Sequence, residues 1–271
     1  MRIWRTKSWK DELLVVSKKT FQQFRAIPGT VYGFSVDTGE AIRIIKSMGR
    51  IARVVIPGIP HHVTQRGNRR MEVFFGEEDY HAYLGLILEW CKVKGVELWA
   101  YCLMPNHMHL IAVPEKEDSL ARAIGEAHRR YTRRVNFREG WRGHLWQGRF
   151  GSCPMDPAHT LRAARYVELN PVRARLVQKP WHYQWSSCKA HVEGRCDQGF
   201  IRVEPLLSRV EDRAEFIEQP LEAEEKKRLR LHFRTGRPLG SDRFVKQLER
   251  QTGRRLRPGR PGRPRKSESK G

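Results

Sequence analysis

Residues 97–113 read ELWAYCLMPNHMHLIAV, two mostly apolar runs separated by a Met-Pro-Asn sequence. Proline followed by asparagine is typical of a tight turn, so the stretch predicts a β-hairpin with strands at 97–103 and 107–113. His107 and His109 stand two positions apart at the start of the second strand. Because successive side chains of a strand alternate between its faces, we expect both imidazoles on the same face of a buried sheet.

The segments on either side of this hairpin predict a mixed fold. Apolar residues recur at three- and four-residue spacing from Glu77 to Lys94, which indicates an amphipathic helix. The other predicted elements are a short strand within Val54 to Gln65, a basic helix from Ser119 to Phe137, a strand over Leu145 to Met155, and a helix that starts at Asp156-Pro157. This order predicts an α+β fold with a ferredoxin-like split β-α-β core, in which helices pack on a central antiparallel sheet.

A second candidate element for a site lies in the helix after Asp156. Tyr166 and Asn170 are four residues apart, and this spacing places them on one face of a helix. We expect the helix to end at Asn170-Pro171, because proline cannot continue it. Two imidazoles and an amide oxygen could hold a divalent metal beside the phenol, and such a set of groups suits attack on a phosphodiester.

The same residues also allow simpler interpretations. A histidine pair by itself fits two hydrogen-bonded histidines at the end of a strand, and Tyr166 by itself fits an ordinary core or surface tyrosine. Nitrogen ligands usually indicate zinc. A phosphate-binding site completed by an amide oxygen and waters suits Mg²⁺ or Mn²⁺ instead.

The charge balance indicates a polyanionic partner. The 271-residue chain carries 52 Lys and Arg against 30 Asp and Glu, a formal net charge of +22. Each phosphate that a basic surface neutralises releases counterions, which favours nucleic acid. No apolar run approaches the roughly 18–20 residues of a membrane-spanning helix, and the first residues lack the apolar core of a signal peptide. We therefore predict a cytoplasmic, nucleoid-associated protein that does not bind a membrane.

Composition divides the chain into four predicted segments. A catalytic domain is expected at 48–205, a helical C-terminal extension at 206–252, and a disordered basic tail of Arg, Pro and Gly at 253–271. Residues 1–47 are expected to be an extension that is poorly ordered or an artefact of upstream translation, and the alternative is a small cap on the domain.

Three ordered motifs resemble the HUH class of single-tyrosine transposases, and within it the REP-associated tyrosine transposases. The motifs are PHHVTQRG at 60–67, MPNHMHL at 104–110 and YVELNPVRA at 166–174. The sequences WQGRF at 146–150 and WSS at 185–187 also look like that family. The resemblance covers about residues 48–200, so neither the front extension nor the basic tail inherits a role from it.

The resemblance implies an enzyme that cleaves and rejoins single-stranded DNA at imperfect palindromes that fold into hairpins. His107, His109 and Asn170 would then be the ligands of Mg²⁺ or Mn²⁺. Tyr166 would be the catalytic nucleophile, forming a 5′-phosphotyrosine link and leaving a free 3′-hydroxyl on the other fragment. Because that link conserves the energy of the phosphodiester, no nucleotide cofactor is expected.

Three groups of arginines are candidate DNA contacts. They are Arg66, Arg69 and Arg70 in the turn after the first strand, Arg129, Arg130 and Arg133 along the second helix, and Arg260 and Arg263 in the tail. The tail arginines lie in two Gly-Arg-Pro repeats that resemble an AT-hook, which fits a narrow minor groove. A solvated helix face and a general polycationic tail are the alternatives. His61 and His62 are expected to be structural or to contact phosphate, rather than to bind metal.

Other functions stay open at this point. A domesticated, non-catalytic protein that binds hairpin DNA would keep the fold without needing the whole set of site residues. A replication initiator or relaxase of the same class would commonly carry a larger domain, and this sequence has no Gly-rich lysine loop for a nucleotide. In each case the expected partner is single-stranded or hairpin DNA, and the expected state is a monomer or homodimer.

Overall fold

A four-stranded antiparallel sheet forms the centre of the protein. The computed structural model describes residues 51–196, 201–208 and 210–258. The strands are β1 (His61–Arg66), β2 (Val96–Met104), β3 (His107–Pro114) and β4 (Gly151–Pro154). Their order across the sheet is β2-β3-β1-β4. This is the strand order of a ferredoxin-like fold, so the predicted fold class is confirmed.

The helices of the described residues cover both faces of this sheet. They are α1 (Glu77–Val93), α2 (Ser119–Glu139), α3 (Pro157–Glu168), α4 (Asn170–Arg173), α5 (Cys188–Glu193), α6 (Glu204–Leu207), α7 (Arg213–Glu218), α8 (Ala223–Thr235) and α9 (Asp242–Thr252). Helix α1 links β1 to β2 and α2 links β3 to β4, and right-handed crossovers place both helices on the same face. Helices α3 and α8 lie on the opposite face, where the side chains of the histidine pair point.

The predicted hairpin is confirmed, with strands slightly longer than expected. Met104 pairs with His107 across the turn, and Cys102 pairs with His109 further along. β3 pairs with β1 on its other side, where Thr64 lies opposite His109 and Arg66 opposite His107. The histidines therefore lie on an inner strand, with neighbouring strands on both sides.

The predicted strand over Leu145 to Met155 is wrong in its first half. Only Gly151–Pro154 forms β4, while residues 145–150 are irregular apart from one isolated bridge between Gly67 and Trp146. Gly148 has a φ of 63°, which is incompatible with a strand. The Gln65 side chain donates to the carbonyl oxygens of Gln147 and Gly148, so these groups need no strand partner.

The predicted helix around Tyr166 is shorter than expected. Asp156 caps α3 by accepting a hydrogen bond from the backbone N–H of His159, as the Asp-Pro start predicts. The helix ends at Glu168, two residues before Asn170, and Asn170 then begins the separate helix α4. Pro171 lies in the first turn of α4, where a missing N–H costs nothing, so the proline starts a helix instead of only ending one.

The C-terminal part of the chain packs on the domain. The backbone N–H of Leu239 donates to the carbonyl of Pro154, and Asp156 donates back to Leu239. Leu256 is buried in a cluster with Val54, although we expected disorder from Gly253 onward. The predicted extension at 1–47 and the remainder of the predicted tail lie outside the described residues.

Candidate active site

Two imidazoles lie side by side on β3. The ring centroids of His107 and His109 are 5.0 Å apart. Nδ1 of His107 lies 2.5 Å from Oδ1 of Asn106, and Nδ1 of His109 lies 2.8 Å from Nε2 of His62. Within the part of the chain that the structure describes, no hydrogen bond involves Nε2 of His107 or of His109. One nitrogen of each ring is therefore available to a ligand.

Both imidazoles are held neutral by their surroundings. Burial, with smaller contributions from the nearby charges of Arg66 and Arg173, lowers the pKa of His107 to about 4. Burial also brings the pKa of His109 well below its ordinary value, with a smaller contribution from His107. At neutral pH each ring therefore keeps a nitrogen lone pair, which is the form that binds metal.

Tyr166 lies above this pair. Helix α3 packs on β2, β3 and β1. The Tyr166 ring centroid is 6.4 Å from that of His109, and the two rings are nearly perpendicular, at 82°. The side chain is mostly buried, with 8% exposed. The guanidinium carbon of Arg173 lies 4.1 Å from the centre of the same ring, on the far side of the break between α3 and α4. The structure thus brings together His107, His109 and Tyr166, with a cation beside the phenol ring.

Asn170 is near Tyr166 but has a different neighbour from the one we predicted. Its Oδ1 accepts a hydrogen bond from Nη2 of Arg173, and the same nitrogen donates to the Tyr166 carbonyl at 2.8 Å. Nδ2 of Asn170 and Nη1 of Arg173 are buried without a hydrogen-bond partner in the described residues. Tyr166 and Asn170 belong to consecutive helices, joined by Leu169, whose φ of −79° and ψ of 0° are still in the right-handed helical region. Arg173 connects Asn170 to Tyr166.

The donor set fits a divalent cation in part. The two free imidazole nitrogens are suitable ligands, whereas the amide oxygen of Asn170 would have to exchange Arg173 for the metal. Within residues 51–196, 201–208 and 210–258 there is no group of three or more His, Cys, Asp or Glu side chains that could hold a metal. A cation at this place would therefore depend on the histidine pair, an amide and water, which suits Mg²⁺ or Mn²⁺ better than a closed zinc site.

The predicted DNA contacts in the turn after β1 lie near the start of β3, where the pair begins. Arg66 is exposed and lies opposite His107 in the sheet register. Arg69 and Arg70 are exposed in a 3₁₀ turn, Asn68–Arg70. The Asn106 side chain donates to the carbonyl of Arg70 at 3.1 Å, which joins this turn to the hairpin loop. The three arginines therefore form a basic rim, called the turn arginines below, next to the histidines.

The other predicted DNA contacts lie elsewhere. Arg129 and Arg130 are on α2, where both pair with Glu126, and Arg133 is exposed on the same helix. Because α2 covers the sheet face opposite the histidines, this stripe does not line the candidate site. Arg260 and Arg263 lie outside the described residues.

The sequence analysis gave no role in the site to Arg173 or Phe233, and it considered His62 only as a structural or phosphate-contacting residue. His62 lies on the same face of β1 as Thr64 and Arg66, so the sheet register could have placed it beside the pair. Arg173 belongs to a quoted motif but received no role. Phe233 stacks on His62 and packs edge-on to Tyr166. His61 is structural as expected, since it bonds to the backbone of Ile59 and Ile56.

The fold thus places the histidine pair on an inner strand of a ferredoxin-like sheet, with a tyrosine from the helix after β4 above it. Residues 56–170 match the family model described as IS200-like transposase. This segment is therefore similar to the IS200-like transposase family. The matched range contains the histidine pair and Tyr166, and it ends at Asn170.

Solved structures that are similar to this chain include the following two. One is the REP-associated tyrosine transposase bound to a REP hairpin, with 21% identity, a TM-score of 0.47, and coverage of 58% of this chain and 90% of that chain. The other is a crystal structure of a Deinococcus radiodurans R1 protein assigned as a transposase, with 19% identity, a TM-score of 0.33, and coverage of 44% of this chain and 95% of that chain. A search of the curated proteins found no match. Among the described residues, no helix has the length and apolar character needed to span a membrane.

Proposed function

We propose that this protein is a transposase that cleaves and rejoins single-stranded DNA at palindromic hairpin elements through a 5′-phosphotyrosine intermediate. The observation that carries the proposal is the position of Tyr166, whose ring lies 6.4 Å from the buried ring of His109. The family match to IS200-like transposases supports the same reaction class. The resemblance of the three motifs to REP-associated transposases favours hairpin elements as the substrate.

His107 and His109 would hold a divalent cation through their free Nε2 atoms. Asn170 would be the third ligand, once its amide oxygen is released from Arg173. A bound Mg²⁺ or Mn²⁺ would polarise the scissile phosphate and offset the charge that develops in the transition state.

The phenol oxygen of Tyr166 would act as the nucleophile. It attacks phosphorus and gives up its proton, the bond from phosphorus to the 3′-oxygen breaks, and that oxygen takes up a proton and leaves as a hydroxyl. The phosphate stays bonded to the tyrosine and to the 5′ end of the other fragment. Attack by a 3′-hydroxyl on this link restores a phosphodiester, so the exchange needs no nucleotide cofactor.

The protein's own charges would bind the DNA backbone next to the phenol. Arg173 places a cation beside the Tyr166 ring, where its charge would attract a phosphate group. The turn arginines would hold the flanking strand at the rim. We keep Arg129, Arg130 and Arg133 as a proposed second contact for a hairpin stem, and Arg260 and Arg263 as a proposed tail contact. A monomer or homodimer in the cytoplasm, associated with the nucleoid, stays a prediction.

The test is covalent capture of DNA by the full chain. A hairpin-bearing single-stranded oligonucleotide is incubated with the protein and Mg²⁺ or Mn²⁺, and products are resolved on a denaturing gel. We expect a protein–DNA adduct with the wild type and none with Tyr166→Phe. Tyr80→Phe is the matched control, because Tyr80 is a buried tyrosine stacked on Trp185 away from the histidines.

Two results would contradict the proposal. An adduct that persists in Tyr166→Phe would remove the assigned nucleophile. Hairpin binding without cleavage in every metal tested would instead support the non-catalytic DNA-binding protein.

A further inference from the structure

His62 is a buried side chain that touches the candidate site without being one of its predicted ligands. It lies on β1 with only 1% of its surface exposed. Its Nε2 lies 2.8 Å from Nδ1 of His109. Its ring stacks on Phe233 with centroids 3.6 Å apart and planes inclined by 22°. His62 is therefore fixed between an imidazole of the pair and an aromatic ring of α8.

The hydrogen bond between two neutral imidazoles has a direction with chemical consequences. If His62 donates from Nε2, then His109 carries its proton on Nε2 and has no lone pair there for a metal. If His109 donates from Nδ1, its Nε2 lone pair faces the site and His62 carries its own proton on Nδ1. Ligating histidines usually donate their other N–H to a nearby acceptor, which sets the tautomer and the ring orientation.

The second arrangement leaves one buried donor unsatisfied. Nδ1 of His62 has no hydrogen-bond partner in the described residues. An unpaired N–H disfavours this tautomer while no cation is present. Binding of a cation to Nε2 of His109 would compensate for this cost. When metal binds, the shared proton between His62 and His109 should therefore lie on Nδ1 of His109.

Phe233 is itself held rigidly. Its helix α8 contacts β1 and β4, and Leu229 one turn earlier is buried. The chain after α8 is fixed because Asp156 accepts from the Ser241 N–H at 2.8 Å. The Phe233 ring also packs edge-on to Tyr166, with centroids 5.6 Å apart. One side chain of the C-terminal extension thus contacts both His62 and the candidate nucleophile.

We propose that His62 is a positioning residue that accepts the Nδ1–H of His109 and thereby directs its Nε2 lone pair toward the cation, and that Phe233 holds His62 in this orientation. The inference rests on the proposed function, because it concerns the ligands of the same cation. It extends the functional unit beyond residue 170, where the family match ends.

The first experiment measures Mn²⁺ affinity of the full chain by isothermal titration. Loss of an outer hydrogen-bond partner typically costs 10–100-fold in metal affinity, so we expect His62→Phe to weaken Mn²⁺ binding by about that factor. His62→Gln should restore part of the affinity, because its amide oxygen can accept the Nδ1–H. The Mn²⁺ affinity of Phe233→Leu should lie between those of the wild type and His62→Phe.

His128→Phe is the matched control for the histidine substitution. His128 is also a histidine stacked on an aromatic ring, Trp146, at 4.4 Å and 20°. It also has one side-chain hydrogen-bond partner, the Tyr83 hydroxyl at 2.9 Å. Because it lies on α2, its substitution should leave Mn²⁺ affinity unchanged. Thermal unfolding of each variant shows whether it is folded, and His62→Gln serves if His62→Phe does not fold.

The second experiment observes the tautomer directly. Long-range ¹H–¹⁵N correlation spectra of the Mg²⁺-saturated protein should show His109 protonated on Nδ1 and not on Nε2. A proton on Nε2 of His109 in that state, or wild-type Mn²⁺ affinity in His62→Phe and Phe233→Leu, would overturn the positioning role. If the wild type cleaves hairpin DNA while these results appear, only the positioning role fails. If the wild type neither binds Mn²⁺ nor cleaves, the proposed function fails with it.

Discussion

Substitution of Glu168 by glutamine should destabilise the protein strongly, because this carboxylate forms a buried ion pair beside the candidate nucleophile. Glu168 ends α3 and is 2% exposed. Its Oε1 accepts from Nδ1 of His191 and from the hydroxyl of Ser187 at 2.7 Å. Ser187 in turn bonds to the backbone of Tyr101 on β2. The network therefore fixes the end of the helix that carries Tyr166 to the sheet.

The expected loss follows from the burial of both partners. Removing one member of a buried ion pair costs about 3–5 kcal/mol. Glutamine keeps an acceptor oxygen for Ser187, so we expect Glu168→Gln to lower the free energy of unfolding by about 3 kcal/mol. At roughly 2–4 °C per kcal/mol for a protein of this size class, Tm should fall by about 6–12 °C.

The loss should also depend on pH in a defined direction. Burial by itself would lower the pKa of His191, but the charge and hydrogen bond of Glu168 outweigh it and raise the pKa. A raised pKa contributes stability that is fully present below the unfolded value of about 6.5 and is lost as pH rises through the folded value. The difference in free energy of unfolding between the wild type and Glu168→Gln should therefore be larger at about pH 6 than at about pH 9, which lie on either side of that window.

The assay is urea unfolding of both proteins across this pH range at constant ionic strength. Glu126→Gln is the control, because Glu126 pairs with Arg129 and Arg130 on the exposed side of α2. Its substitution should produce no comparable change. A Glu168→Gln protein as stable as the wild type, or a difference that grows with rising pH, would refute the reasoning.

Three further predictions follow from separate features. Asp79→Asn should lower stability by about 1–2 kcal/mol, because the buried carboxylate accepts two hydrogen bonds from Arg138. Burial alone would raise the pKa of Asp79, but Arg138 keeps it low. The stability that the ionised carboxylate contributes is therefore present above about pH 3.9 and is lost as pH falls through the pKa of the folded protein. Acid unfolding of the wild type and the variant measures this loss. Gly67→Ala should lower Tm and disturb the turn arginines, because a Cβ there would lie 2.2 Å from the Met71 carbonyl oxygen. Gly85→Ala in α1 is the contrasting case: its Cβ meets no atom within 4 Å, and the change should stabilise the protein by about 1 kcal/mol. Mn²⁺ at about 100 times its Kd should raise the free energy of unfolding by about 2.7 kcal/mol, and a chelator should abolish the gain in a thermal shift assay.

Local sequence signals were sufficient to predict those elements whose structure depends on the periodicity of the backbone. Alternation around the Pro-Asn turn predicted the hairpin, and the i, i+2 spacing placed His107 and His109 on one face. The three- and four-residue spacing predicted α1, and the Asp156-Pro157 pair predicted the start of α3. Each of these features depends on residues that are close together in the chain.

The errors arose where two local structures were compatible with the same residues. Pro171 can follow one helix or begin another, and only the structure shows that it does both. The run before β4 has the composition of a strand, but the side chain of Gln65 satisfies its carbonyls and Gly148 bends it. The contact between His62 and Phe233 requires the docking of α8, which no local pattern encodes.

The docking of α8 also has a consequence for co-translational folding. Synthesis proceeds from the N-terminus, so the histidine pair and Tyr166 leave the ribosome well before Phe233. Until Phe233 arrives, a nascent chain or a product truncated before α8 lacks the ring that contacts His62 and Tyr166. Synthesis through α8 would then be a condition for assembly of the candidate site, and chains that end before α8 would carry His107, His109 and Tyr166 without these contacts.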